Sequence, residues 1–323
     1  MKVIKTKLDY SRSYIRFDLN TISIGEVVPF DILIKKDNDF VIIIEAGTLI
    51  NEALYAKLQN HTNLYLAKAD EEKQILSCES LRYYIRHNIN NHQKRVALLY
   101  NVTSGFFDIF INSKENKIDS QCSELIVKSI IYLVKNDQNF IKNIMPYFNN
   151  EDLLEYHSLH VAIYAIALGY TLKFSDTKLV QLGTAAFLHD VGLKRIDTNI
   201  IRKETKLDKH ENLLVQKHCS YSVEIIKQNK ILDPYILDAV MNHHERYDGS
   251  GYPNGLQKND ISDFASILAI CDVFDALTSH RPHRKSLSSF DALKLMMKDS
   301  DMVNQFNQKY LQIGLKILSQ GQV

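Results

Sequence analysis

Apolar and polar positions change rhythm partway along the chain, and the change predicts two kinds of structure. Within residues 1–70 the apolar positions come in short, broken runs, Ile22 to Val28, Asp31 to Ile34 and Phe40 to Ile44, which predict strands because successive strand side chains face opposite ways. Lys36-Asp37-Asn38-Asp39 is a turn signal between the last two runs, so a hairpin is expected there. Gly47 ends the hairpin. Asn51 is then an expected N-cap for a helix over Glu52 to Gln59, with Leu54 and Leu58 at helical spacing, before a short strand at Leu64-Tyr65-Leu66. From Glu71 to about Asn136 the period is helical, carried by Leu98, Leu99 and Phe106 and then by Leu125, Ile126, Ile130, Ile131 and Leu133, with a polar break at Ser113 to Lys117.

Beyond Glu151 almost every segment has helical period: Val161 to Leu172, Leu179 to Leu188, Leu213 to Ile226, Ile236 to Val240, Ile261 to Leu277 and Leu293 to Leu318. Long loops are expected at Lys194 to Lys209 and Tyr247 to Asp260. Pro146 and Asn149-Asn150-Glu151-Asp152 interrupt the pattern, which places a boundary there. The expected fold is mainly α: an N-terminal domain over 1–145, β-rich over 1–70 and helical over 71–145, followed by an all-helical domain over 146–323.

A length of 323 residues accommodates two such domains. The formal net charge of +1, with lysines and acids interspersed, provides no long-range field for DNA or an anionic membrane. The longest apolar stretch, Val161 to Leu172, falls well short of the roughly 20 residues that span a bilayer. Cys78, Cys122, Cys219 and Cys271 are scattered, without a CxxC pair or a secretory leader, so disulfides are not expected and a reducing, cytoplasmic setting is.

The candidate chemistry lies in the helical half. His243-His244 directly precedes a glycine-rich turn, Glu245-Arg246-Tyr247-Asp248-Gly249-Ser250-Gly251-Tyr252-Pro253. His157, His189-Asp190, His218 and Asp272 supply further metal-ligating side chains. A lone histidine on a helix is usually a core or surface residue, and His157 or His218 alone would be read that way. His189-Asp190 is different, because it ends an apolar helix, and Asp272 sits within one; buried charge is tolerated mainly when paired or metal-bound. Five imidazoles and two carboxylates exceed the needs of one structural zinc. They suit two ions bridged by a carboxylate such as Asp190, an arrangement that activates hydroxide for in-line displacement at phosphorus. Phosphodiester hydrolysis is the natural chemistry.

These pieces, in this order, resemble the HD-GYP family of the HD phosphohydrolase superfamily. The matching stretches are His157-Ser158 with Val161-Ala162, Leu188 to Gly192, Glu211 with His218, His243 to Pro253 with Gly255-Leu256, and Asp272 to Ser279 with Arg281-Pro282 and Arg284. The resemblance covers about Glu151 to Val323. It implies a bacterial phosphodiesterase that opens cyclic di-GMP to linear pGpG and sometimes GMP; an enzyme acting instead on another cyclic dinucleotide such as cyclic GMP-AMP, or on a different nucleotide, is a further reading. It implies His157, His189, Asp190, His218, His243, His244 and Asp272 as metal ligands, Asp190 as the bridge, and iron, manganese or another transition metal as the ion. Arg281 and Arg284 match residues near the substrate phosphates, and Gly249 and Tyr252 match the loop that names the family. Without the match, the two arginines would be read as a solvated basic turn. Asp275 is read either as an acceptor orienting a ligand or as a local cap or salt bridge.

Three positions depart from the family pattern. Many active members carry a lysine where this chain has Leu193, with Lys194 one place later; Lys194 is read as the substitute at the scissile phosphate, the alternative being that the one-residue shift points it away. Members with three metals carry a glutamate where this chain has Leu153, so two ions are expected, with Asp152 and Glu155 the nearby acids for a third. His283 replaces a common tyrosine. Leu193 also motivates a second reading, a signalling module that binds cyclic di-GMP or a protein partner and hydrolyses slowly or not at all. The N-terminal half shows no phospho-acceptor set, haem motif or glycine-rich nucleotide loop, and its helical faces are read as packing within the chain or between two copies in a homodimer.

Overall fold

The structure, a computed structural model, describes residues 14–67, 92–144, 154–279 and 286–319, apart from scattered positions taken one or two at a time. Two compact units divide at Val102 and Thr103. In the first, strands β1 (Tyr14–Phe17), β2 (Val27–Val28), β3 (Ile32–Lys36), β4 (Asp39–Ile44) and β5 (Thr48–Leu49) are followed by helix α1 (Glu52–Gln59) and strand β6 (Leu64–Ala67). The main sheet runs β1-β6-β3-β4, and β2 pairs with β5. The expected hairpin is the antiparallel pair β3–β4, with a register shift between Ile32 and Leu33. Asn51 caps α1 as expected, its side-chain oxygen accepting the Leu54 N–H at 2.9 Å. Ile22, Val28, Ile32, Ile44, Ile50, Leu58 and Leu64 form the core of this unit, each contributing about 1.5–3 kcal/mol by leaving water.

Helix α2 (His92–Asn112) crosses the division. The second unit continues with α3 (Ser120–Asn136), α4 (Phe140–Ile144), α5 (Leu154–Thr171), α6 (Asp176–Leu188), a 3₁₀ turn at Val191–Arg195, α7 (Thr198–Ile201), α8 (Lys209–Gln216), α9 (His218–Gln228), α10 (Pro234–Asn242), α11 (Asp263–Thr278), α12 (Ser289–Lys298) and α13 (Gln308–Leu318). The mainly helical expectation is borne out. Residues 103–144, read from the sequence as part of the N-terminal domain, lie in this second unit. The reason is the apolar face of α3. Ile126, Val127, Ile130 and Leu133 are buried, and α3 packs on α5 and α6.

Helix α5 is buried from Ser158 to Gly169 without a break, and α11 from Phe264 to Asp272. A helix apolar on all sides belongs inside. These two central helices carry His157, just before the buried run of α5, and Asp272, at the end of that of α11, so both side chains start from helical backbone. The run Leu213 to Ile226, a single period in the sequence, is two helices, α8 and α9, with Lys217 as the cap between them. Leu293 to Leu318 is likewise divided into α12 and α13. Asp208 and Glu211 form a capping box at the start of α8.

Cys122 is disulfide-bonded, which corrects the expectation of no disulfides, while Cys219 and Cys271 are free and buried. No helix among the described residues is long and apolar enough to cross a membrane.

Candidate metal centre

Local helix geometry aims the imidazoles. His189 follows α6 as its C-cap, His243 follows α10 in the same way, and His218 stands just after the end of α8. In each case Nδ1 meets the backbone carbonyl three residues earlier: Ala186 at 2.7 Å, Val240 at 2.7 Å and Val215 at 2.6 Å. A carbonyl only accepts, so these Nδ1 atoms carry a proton, and Nε2 is the nitrogen left to present a lone pair in the neutral ring. His157 is fixed by a carboxylate instead, its Nδ1 donating to Asp275 Oδ2 at 2.8 Å.

The lone pairs converge. Nε2 of His157 and of His189 are 3.2 Å apart, and Nε2 of His218 and of His243 are 3.3 Å apart. Two such nitrogens repel unless a proton or a cation lies between them. Asp190 faces both pairs, one oxygen to each. Its Oδ1 lies 3.2 Å from His218 Nε2 and 3.5 Å from His243 Nε2, and its Oδ2 lies 3.5 Å from His189 Nε2 and 3.8 Å from His157 Nε2. Oδ1 is buried and accepts no well-formed hydrogen bond. Asp272 also spans the arrangement, with Oδ1 at 3.3 Å from His157 Nε2 and Oδ2 at 3.6 Å from His244 Nδ1.

All seven sequence-expected ligands therefore meet, in two groups: Asp190, His218, His243 and His244, and His157, His189 and Asp272, with the ligand atoms of each group within 4.8 Å of one another. Imidazole nitrogen and carboxylate oxygen suit first-row transition metals. The inward lone pairs and the unsatisfied Asp190 oxygen fit a cation in each group. The electrostatics point the same way. Burial opposes the charge on Asp190 and Asp272, yet neighbouring imidazoles hold both carboxyls well below the usual range. Burial would lower His157, but Asp272 and Asp275 raise it to about 10. Burial opposes protonation of His218 too, and Asp190 raises it to about 11.

Two outer features hold the frame. Gly192 lies against α9, its N–H donating to Ser222 Oγ at 2.8 Å, and a Cβ there would come within 2.2 Å of the His218 carbonyl. Only glycine allows that approach between the His189-Asp190 turn and the helix that starts at His218. Glu245, 1% exposed, accepts the N–H groups of Asn254 at 2.6 Å and Leu256 at 2.9 Å and so pins the following loop. Gly249 in that loop has φ +84°, a left-handed backbone that glycine adopts without strain. Tyr252 stacks on His244, ring centroids 4.7 Å apart.

Lys194 does not join them. Its ammonium donates to the carbonyls of Phe110 and Ser113 at the end of α2 and lies 4.7 Å from the Phe110 ring centroid. The expectation that it substitutes for the family lysine is corrected by the turn itself. A 3₁₀ helix advances about 120° per residue, so Leu193 shares a face with Asp190 and Lys194 is rotated away. Arg281, Arg284, His283, Asp152 and Leu153 lie outside the described residues. Sequence reading missed Ser222, Cys219 and His160. Cys219 Sγ is 3.5 Å from His218 Nε2, with burial raising its thiol pKa, and His160 lies one turn beyond His157 on the same helix. The helical spacing of His157 and His160 was the available signal for the last of these.

The family model described as HD domain matches residues 124–304, more than half of the chain. The chain belongs to the HD domain family. The HD-GYP resemblance read from the sequence is borne out within it. A cyclic di-GMP phosphodiesterase of Pseudomonas aeruginosa is 31% identical over 55% of this chain and 43% of its own length. A 3'3'-cGAMP-specific phosphodiesterase of Vibrio cholerae is 40% identical over 40% of this chain and 25% of its own. A cyclic di-GMP phosphodiesterase response regulator of Xanthomonas campestris is 38% identical over 42% and 35%. The chain thus spans less than half the length of these curated relatives. An HDG"Y"P protein from Bdellovibrio bacteriovorus has the same fold, with TM-score 0.64, 18% identity, and coverage of 95% of this chain and all of that one.

Proposed function

We propose that this HD domain protein is a metal-dependent phosphodiesterase that hydrolyses cyclic di-GMP to pGpG and, in a further step, to GMP. The observation that carries the reading is Asp190, whose two oxygens face two separate sets of imidazole nitrogens. A carboxylate so placed is suited to bridging two cations, and iron or manganese fits the donor set. Bound divalent ions would supply Lewis acidity toward a phosphoryl oxygen and make water nucleophilic at neutral pH.

The protein's own part is orientation. Nδ1–H bonds to Ala186, Val215, Val240 and Asp275 keep four rings from rotating, with Nε2 directed inward. Asp190 and Asp272 concentrate negative charge where cations are required. Tyr252, stacked on His244 at the rim, is the proposed contact for a base or phosphate, and Gly249 is proposed to let the loop approach it. In the reaction, water oxygen bonds to phosphorus, the bond to one ribose 3′ oxygen breaks, and that oxygen takes a proton. The ring opens to pGpG.

Relatives named for cyclic di-GMP and for 3'3'-cGAMP both support a cyclic dinucleotide as the substrate class. Residues 1–102 are proposed as an accessory, regulatory unit that receives signalling partners or a second copy of the chain. The proposed compartment is the cytoplasm, where cyclic dinucleotide messengers are made and degraded. The test is product formation from cyclic di-GMP, with 3'3'-cGAMP in parallel, by protein prepared anaerobically with iron or manganese, beside the His189→Ala/Asp190→Ala double variant. Metal-dependent turnover absent from the variant is expected. A folded, metal-loaded wild type that cleaves neither nucleotide refutes the proposal.

A further inference from the structure

His157 and His160 stand three residues apart on α5, and Asp272 and Asp275 three apart on α11, so each helix turns its two side chains to one face. The four form a continuous ladder. Asp272 Oδ1 is 3.3 Å from His157 Nε2, Asp275 Oδ2 is 2.8 Å from His157 Nδ1, and Asp275 Oδ1 is 3.0 Å from His160 Nδ1. Asp275 is 1% exposed and His160 3%, so neither can turn to solvent.

A carboxylate is fixed in its plane when both oxygens accept hydrogen bonds from different directions. On Oδ2 the donors are His157 and, at 3.2 Å, Ser279 Oγ; on Oδ1 the donor is His160. Removing the His160 donor leaves a buried oxygen unpaired, and a carboxylate in that position turns to recover a partner. Any such turn withdraws Oδ2 from His157 Nδ1, the contact that aims the opposite ring nitrogen at His189 and Asp272.

We propose that His160 is a positioning residue for the metal group of His157, His189 and Asp272: it holds Asp275 so that Asp275 holds His157. The inference rests on the metal-site reading above and extends it to a residue outside the ligand set. His160 reaches the metal group through Asp275. Its effect falls first on the cation position beside His157, because the ladder reaches the group of His218, His243 and His244 only at its outer rung, through Asp272 and His244.

The experiment compares the full chain with His160→Leu and His160→Asn, each loaded with manganese. Bound metal is counted by inductively coupled plasma mass spectrometry, and affinity is measured by competition with a chromophoric chelator. Asparagine keeps an N–H at the same number of bonds from the backbone as Nδ1, whereas leucine has none. The wild type and His160→Asn should each retain about two ions, and His160→Leu should hold one firmly and the other roughly 10–100-fold more weakly. A normal melting transition of metal-free His160→Leu separates this loss from unfolding. Should that variant fail to fold, His160→Gln, whose amide reaches one bond too far, carries the same expectation of loss. Wild-type stoichiometry and affinity in the leucine or glutamine variant overturns the inference, as does equal loss in His160→Asn. A wild type that binds no metal at all overturns the site reading beneath it, and is told apart by needing no variant.

Discussion

Replacing Lys194 by methionine separates a structural anchor from a catalytic cation. Methionine keeps an unbranched apolar stem and removes the ammonium, so the loss is confined to two charge-assisted hydrogen bonds, to the carbonyls of Phe110 and Ser113, and to the contact with the Phe110 ring. Hydrogen bonds involving a charged group contribute about 1.5–3 kcal/mol when buried, and a cation at a helix C-terminus adds about 0.3–1 kcal/mol. Lys194 is partly exposed, and solvent screening reduces both contributions. A net destabilisation of about 1–2 kcal/mol remains, which lowers the melting temperature by about 2–8 °C. Turnover per folded, metal-loaded molecule should stay within a few-fold of wild type. The assay pairs differential scanning fluorimetry with initial rates on cyclic di-GMP at measured metal content. A rate loss of about 100-fold or more, the size expected when a transition-state donor is removed, at unchanged melting temperature and metal content would refute the anchor and return Lys194 to the phosphate.

Three further outcomes are expected. Gly192→Ala should lose metal and stability together, because its Cβ would come within 2.2 Å of the His218 carbonyl and 2.5 Å of the Ser222 nitrogen; metal content and melting temperature both at wild-type values would count against the close approach. Glu245→Gln, which faces the N–H groups of Asn254 and Leu256 with only one oxygen, should loosen the loop at a cost of about 1–3 kcal/mol and raise KM more than it changes metal content, as read from kinetics and metal analysis. His157 and His218, raised to about 10 and about 11, are protonated below those values, so metal uptake must displace one proton in each group. The apparent affinity of each ion should therefore strengthen about tenfold per pH unit between roughly pH 6 and 9, and a chelator competition that shows no pH dependence contradicts this.

The candidate ligand cluster, which the structure brings together, was legible in the sequence because its members are chemically conspicuous: His189-Asp190 and Asp272 sit where apolar helices would reject charge, and His243-His244 precedes a glycine-rich turn. Asn51 was legible as a cap for the same local reason. What escaped depended on three-dimensional packing. The apolar period of Leu213 to Ile226 continues across Lys217 although α8 has no fully buried residue and α9 carries the buried face, and no periodicity reports that the chain breaks to turn His218 inward. The direction of Lys194 follows from a 3₁₀ turn, whose angular step differs from that of an α-helix by enough to exchange neighbouring faces. Residues 103–144 join the helical unit because the apolar face of α3 is covered by α5 and α6, a partnership that no linker composition announces.

Three of the rings are held by carbonyls three residues back in their own chain. Such bonds form with the helix end itself, so the imidazoles are oriented before any ion arrives. Uptake then becomes a matter of water exchange on the incoming ion rather than of refolding around it, and little ordering entropy remains to be lost at that moment. A receptacle shaped in advance from nitrogen and oxygen discriminates weakly between neighbouring first-row ions. On the proposed function, the choice of ion would pass to the supply in the surrounding cell, so that starvation for one metal and plenty of another would write themselves into the rate without any change in the protein.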